Sequence, residues 1–192
     1  AMAQVYNHMI MPLANRRDKV TQTIWGIKDF TRRFGRFPEG IWLPETAVDL
    51  ETLEVIADAG ILFTVLSPHQ VRRVRKISED QWVDVREGEI DHTMPYLCRL
   101  PSGKSIHIFV YNGPLSREVA FGNLLSNGEM FASRLTAAFK EPRGRSQMIH
   151  IATDGETFGH HHPHADMALA YALYAIESKQ MAKLTNYGEY LE

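Results

Sequence analysis

The 192-residue sequence holds one cysteine, Cys98, so no internal disulfide can staple it and a small disulfide-built scaffold is excluded. It lacks an apolar run long enough to cross a bilayer and lacks a secretory leader pattern, which removes a membrane as partner and makes the cytoplasm the expected compartment. Charge of one sign is also missing. With 21 basic and 23 acidic residues the formal net charge is -2, so there is no broad positive field to hold a nucleic-acid backbone, and a neutral substrate suits the balance better. Internal repeats and low-complexity tracts are absent. What is present is 44% apolar and 23% charged residues, enough to bury a sizeable core as one globular domain over residues 1–192. Ala1 ahead of Met2 reads as a cloning remnant, and the chain as cut from a longer protein.

Apolar periodicity orders the elements. Residues 4–11 read as a strand and 12–15 as a turn. Val20, Ile24, Ile27, Phe30 and Phe34 recur at steps of three and four before Gly35, which predicts a helix with a glycine stop. Residues 40–43 form a short buried strand ended by Pro44-Glu45. Leu50, Leu53, Ile56 and Ala57 make a second helical stripe closed by Gly60, and 61–66 is an unbroken apolar strand. Residues 71–105 break the rhythm and read as an insertion with a β-hairpin. A strand at 106–111 follows, then helical stretches over 115–139 interrupted near Ser126-Asn127-Gly128, a buried strand at 148–152 and an alanine-rich helix at 167–181. Strands that alternate with helices, each strand nearly all apolar, predict an α/β fold with a parallel sheet. Polar residues recur just after these strands, where barrel-type folds build their sites: Glu45, Ser67 to Gln70, Asn112, Asp154 and Glu156. The visible strands are too few to close an eight-stranded barrel.

Two of these residues match a known chemical need. Glycoside cleavage uses one carboxylate to attack or to activate water and a second to protonate the leaving oxygen, about 5–5.5 Å apart when configuration is retained. Glu45 follows Trp42-Leu43-Pro44 and Asp154 follows Ile149-His150-Ile151-Ala152, so rigid backbone would fix each. Both also have ordinary readings. An acidic residue after a strand serves as an N-cap, and Asp154 before Gly155 fits common turn chemistry.

The motifs around them are more specific. Gly40-Ile41-Trp42-Leu43-Pro44-Glu45 resembles the nucleophile segment of family 57 glycoside hydrolases, a W-x-x-E pattern. Thr153-Asp154-Gly155-Glu156-Thr157-Phe158-Gly159 resembles that family's acid/base segment. Tyr6-Asn7-His8-Met9-Ile10-Met11-Pro12-Leu13 is similar to a family segment that brings a histidine to the sugar. The resemblance implies a partial or distorted (β/α)7 barrel of the glycoside hydrolase/deacetylase type with a β-hairpin insertion. It also implies a retaining, cofactor-free mechanism on α-glucans or maltooligosaccharides, as an amylase, branching enzyme or 4-α-glucanotransferase. Glu45 would be the nucleophile and Asp154 the acid/base; His8, Trp42, Glu156 and His160 would bind substrate. For Trp42 a core position is an equal reading, and Glu156 can instead bond loop backbone. No counterpart of the family's opening His-Gln-Pro precedes Tyr6, so the remaining strands are expected from the full-length chain. Thr46 stands where many members carry arginine.

His160-His161-His162-Pro163-His164 is the densest polar feature. His160 and His164 with Asp154 or Asp166 would make a metal site, hence an alternative reading as a metal-dependent deacetylase-like hydrolase. Pro163 is expected to begin the helix, which puts His160 in the loop and breaks the one-turn ligand spacing. A third reading, outside catalysis, is a carbohydrate-binding remnant. The basic run Arg72, Arg73, Arg75 and Lys76 is expected to be a solvated face, Ser67 to Gln70 a capped turn, and Cys98 a thiol without a nucleophile's surroundings.

Overall fold

The computed structural model describes residues 1–141 and 144–192. Its strands are β1 (Ala3–Gln4), β2 (Gly40–Trp42), β3 (Phe63–Leu66), β4 (Arg73–Val74), β5 (Val83–Asp84), β6 (Tyr96–Arg99) and β7 (Ser105–Val110). Its α-helices are α1 (Arg16–Phe34), α2 (Leu50–Asp58), α3 (Gly113–Phe121), α4 (Gly128–Thr136), α5 (Ala165–Ser178) and α6 (Tyr187–Leu191). Residues 1–67 with 95–110 form one compact unit, and 68–94 with 111–192 form another.

The first unit is a five-stranded sheet in the order β1-β2-β3-β7-β6. Four strands run parallel, and β6 returns antiparallel to β7 across the turn that holds Gly103 (φ 85°). All four residues of β3 are buried, as a parallel strand covered on both faces requires. Helices α1 and α2 make the crossovers from β1 to β2 and from β2 to β3. Asn15 caps α1 through the Asp18 amide at 3.0 Å, and Gly35 ends it at φ 68°. At Gly26 the helix presses against β1: a Cβ there would lie 1.9 Å from the Gln4 carbonyl oxygen.

The first strand is shorter than its sequence predicts. After a last long bond from the Val5 amide to the Trp42 carbonyl (3.5 Å) the chain leaves the ladder, because the Tyr6 amide donates to the Gln22 carbonyl (3.3 Å) and the Asn7 amide to the Gln22 side chain (2.7 Å). Pro12 then sets a 3-10 turn at Met11–Leu13.

In the second unit β4 and β5 pair antiparallel, giving the hairpin expected of the inserted segment. The Arg73 and Arg75 guanidinium groups lie 4.9 and 5.4 Å from the Trp82 ring centre, which ties the hairpin by cation–π attraction. The core of this unit is helical. Leu115, Val119, Phe131 and Ala132 pack with Ala165, Ala172 and Ala175 of the alanine-rich helix, whose small side chains let α4 and α5 approach closely. The strand expected at 148–152 is extended chain with no strand partner among the described residues. Its amides and carbonyls go elsewhere: Met148 N to Thr93 O (3.0 Å), Asn112 N to His150 O (3.1 Å) and Ala152 N to Ser116 Oγ (3.1 Å). The partners there are a loop carbonyl, the amide that opens α3 and a serine hydroxyl in α3, which serve in place of a ladder. Among the described residues no helix is long and apolar enough to cross a membrane.

Candidate active site

Glu45 stands on an unusual piece of backbone. Strand β2 ends at Trp42, buried Leu43 follows, and Pro44–Thr46 closes a 3-10 turn through Thr46 N to Leu43 O (2.9 Å) and Ala47 N to Pro44 O (3.0 Å). Within it Glu45 and Thr46 both adopt the left-handed region, at φ 56° and 53°. Non-glycine residues there cost about 1–3 kcal/mol each and persist only where the surroundings over-determine them. The turn buries Leu43, Pro44 and Thr46 and leaves the Glu45 side chain 71% exposed. Facing it is His8, 69% exposed, whose Nε2–H donates to Glu45 Oε1 at 3.0 Å. The structure thus brings together two residues that the sequence places far apart. Trp42 is the least buried residue of β2 and sits one turn of chain from Glu45.

Three residues after this turn, Asp49 enters a cluster that sequence reasoning missed. Lys19 is 1% exposed, and its Nζ reaches Asp49 Oδ2 at 2.9 Å, Asp49 Oδ1 at 3.1 Å and Glu51 Oε2 at 2.8 Å. Burial pulls the Lys19 pKa down, but hydrogen bonds and charges from Glu51 and Asp49 outweigh it and leave it above its ordinary value. Burial pushes Asp49 up, and bonds from Thr52 and Lys19 bring it below the usual carboxylate range. Asp-Leu-Glu-Thr, with an acid three residues ahead of Thr52, is the signal that could have marked Asp49 as a helix cap. A lysine buried in the first turns of α1 carries no local signal.

In the second unit Asp154 precedes the 3-10 turn Gly155–Thr157. Its carbonyl accepts from Thr157 N (3.0 Å), yet its carboxylate makes no cap hydrogen bond, so the ordinary N-cap reading is not realised. The side-chain hydroxyls of Thr153 and Thr157 bond at 2.8 Å and hold the loop. Glu156 is 74% exposed with His161 Nε2 3.6 Å away, and its carbonyl accepts from the amides of His160 and His161. His160 is exposed, its ring 5.0 Å from that of His161.

Pro163 does not begin the following helix. His164 occupies the N-cap at φ 64° and α5 starts at Ala165, two residues later than a proline start would give, because Ala165 and Met167 amides bond back to His162 and His164 carbonyls. His162 Nε2–H is committed to the Ala120 carbonyl at 2.9 Å. Among the described residues no three His, Cys, Asp or Glu side chains converge as a metal site requires.

Four residues ahead of Asp154, His150 joins a second polar cluster of which the sequence singled out Asn112 alone. Asn112 caps α3 and donates to His92 Nε2 at 2.8 Å; His150 Nε2–H donates to the His92 carbonyl (3.2 Å) and its Nδ1 accepts from the Tyr187 hydroxyl (3.0 Å). Burial pushes Tyr187 up to about 12 and draws His92 down. Burial also pushes the Cys98 thiol up, away from nucleophilic use.

The model of Glycosyl hydrolase family 57 matches residues 2–192. The chain belongs to this family. Among solved structures, this family 57 chain is similar to a 4-alpha-glucanotransferase from Thermococcus litoralis (TM-score 0.71, 21% identity, 99% of this chain and 28% of that one). It is also similar to a branching enzyme from Pyrococcus horikoshii (0.75, 18%, 99% and 44%) and an alpha-amylase from Thermotoga maritima (0.78, 14%, 99% and 48%). No curated protein sequence matches it. At these identities the likeness shows the fold, which is part of the distorted (β/α)7 barrel expected, and the chain spans from 28% to 48% of the three structures' lengths.

Proposed function

We propose that the complete protein acts on α-glucans, as a hydrolase or glucanotransferase, by a retaining two-carboxylate mechanism. Glu45 attacks the anomeric carbon and forms a glycosyl ester. Asp154 protonates the leaving oxygen and then takes a proton from the incoming water or sugar hydroxyl. The observation that carries this reading is the Glu45 turn: a strained left-handed residue that projects an exposed carboxylate, with His8 donating at 3.0 Å. Strain stored in this way marks functional positions. The hydrogen bond fixes one carboxylate oxygen and leaves the other for attack. Family membership and the glucan-active neighbours support the substrate class. His8, Trp42, Glu156 and His160 are assigned to sugar binding: Trp42 offers an aromatic face to sugar C–H groups, and the polar side chains offer hydroxyl partners.

Glu45→Gln and Asp154→Asn in the complete protein test this. Each is expected to abolish maltooligosaccharide shortening or reshuffling while calorimetric binding of the sugar persists. Activity that survives both changes and disappears with a chelator overturns the reading in favour of metal-dependent hydrolysis. Binding without any turnover in the unaltered protein favours a non-catalytic carbohydrate-binding role.

A further inference from the structure

We infer that Lys19 is a positioning residue for the turn that presents Glu45, an inference that rests on the reading of Glu45 as nucleophile. The stretch from Trp42 to Asp49 contains two consecutive non-glycine residues in the left-handed region. Such a path relaxes unless both of its ends are held. Its upstream end is held by the sheet: Ile41 pairs with Ala3 and Thr64, and the Thr64 hydroxyl, wholly buried, donates to the Ile41 carbonyl at 2.8 Å. Its downstream end is Asp49, which caps α2 through the Thr52 amide (2.8 Å) and hydroxyl.

Asp49 is itself fixed from α1 by Lys19. The ammonium spends its donors on both Asp49 oxygens and on Glu51, so the buried cation is fully satisfied. Burying a cation is a poor route to stability, since apolar side chains of similar volume serve as well or better. What an ammonium adds is direction: it admits one placement of Asp49, and with it one end point for the strained turn. Glu51 also lies 4.0 Å from Arg16, and Arg16 reaches Asp58 at 3.5 Å, so further ion pairs join the same two helices.

Lys19→Met in the complete protein tests the inference by kinetics on maltoheptaose and by amide hydrogen exchange. The expected result is a kcat lower by about 100-fold, the scale on which small misplacement of a reacting group acts. KM should stay within about twofold, because groups that bind the sugar are untouched. Exchange should quicken at the Thr46 and Ala47 amides and stay slow at Val55 and Ile56 within α2. Asp49→Asn keeps a good cap and removes the charge that faces Lys19, so it should show the same pattern more weakly and carries the test where Lys19→Met does not fold. A folded Lys19→Met protein with native kcat and unchanged exchange at Thr46 and Ala47, beside an inactive Glu45→Gln, overturns the inference alone. A fully active Glu45→Gln overturns the nucleophile assignment instead, whatever Lys19→Met does.

Discussion

Exposure decides what His8 contributes. Its side chain and that of Glu45 are 69% and 71% exposed, so their hydrogen bond competes with water and adds little to stability. His8→Ala is therefore expected to leave the unfolding free energy within about 0.5 kcal/mol of native by urea denaturation. Turnover of maltooligosaccharides by the complete protein should fall at the same time. A variant that loses stability and activity together would make His8 structural. Both residues are singled out as candidates by their motifs, Tyr-Asn-His and Trp-Leu-Pro-Glu, since each motif lies within a few consecutive residues. Their direct contact was not legible, because it depends on how β1 and β2 end beside each other, and no local pattern encodes that.

At the scale of elements, the apolar rhythm carried the helices well. Helix α1 runs to Gly35 and α2 begins at Leu50, as their periodicity and caps require. Strands were less faithful. Residues 4–11 and 148–152 have the apolar content of strands, but a strand needs a partner ladder, and in both places the backbone bonds to a helix or loop instead. The close contact of α1 with β1 was likewise invisible, although its sequence mark, Gly26, lies in plain view. A methyl group there would sit 1.9 Å from the Gln4 carbonyl oxygen, and backbone cannot yield as a side chain can. Gly26→Ala should destabilise the protein by about 2 kcal/mol by overpacking, despite alanine's better helix propensity, as read from the urea midpoint at constant m.

For the molecule as a whole, the titrating groups define a window of stability. Asp49 and Asp91 are held below the usual carboxylate range: burial opposes this, but Thr52 and Lys19 bond the first, while Thr93, Lys140 and Arg145 act on the second. Their contribution is present above the unfolded pKa of about 4 and is lost as pH falls through the lowered folded values. Tyr187, pushed up to about 12 by burial, and Lys19 act in the opposite sense. Their contribution is full below the unfolded pKa of about 10 and is lost as pH rises through the folded values. His92, drawn down by burial, adds to the acid limb, since the unfolded chain takes up its proton first as pH falls below about 6.5. The unfolding free energy should therefore be flat between about pH 7 and 10 and fall on both sides. Tyr187→Phe should flatten the alkaline limb of that profile. Proton NMR of the first product of the complete protein should show the α-anomer, as a retaining double displacement demands.

The left-handed backbone at Glu45 has a practical corollary for trapping substrate. Glycine is the one residue that occupies such a conformation without penalty, so exchanging the glutamate for glycine removes the reactive group and relieves the chain at the same point. A nucleophile-deleted enzyme is commonly feared to be a weakened one. Here the empty-handed form should be the sturdier of the two, with room where a small anion such as azide can stand in for the missing carboxylate.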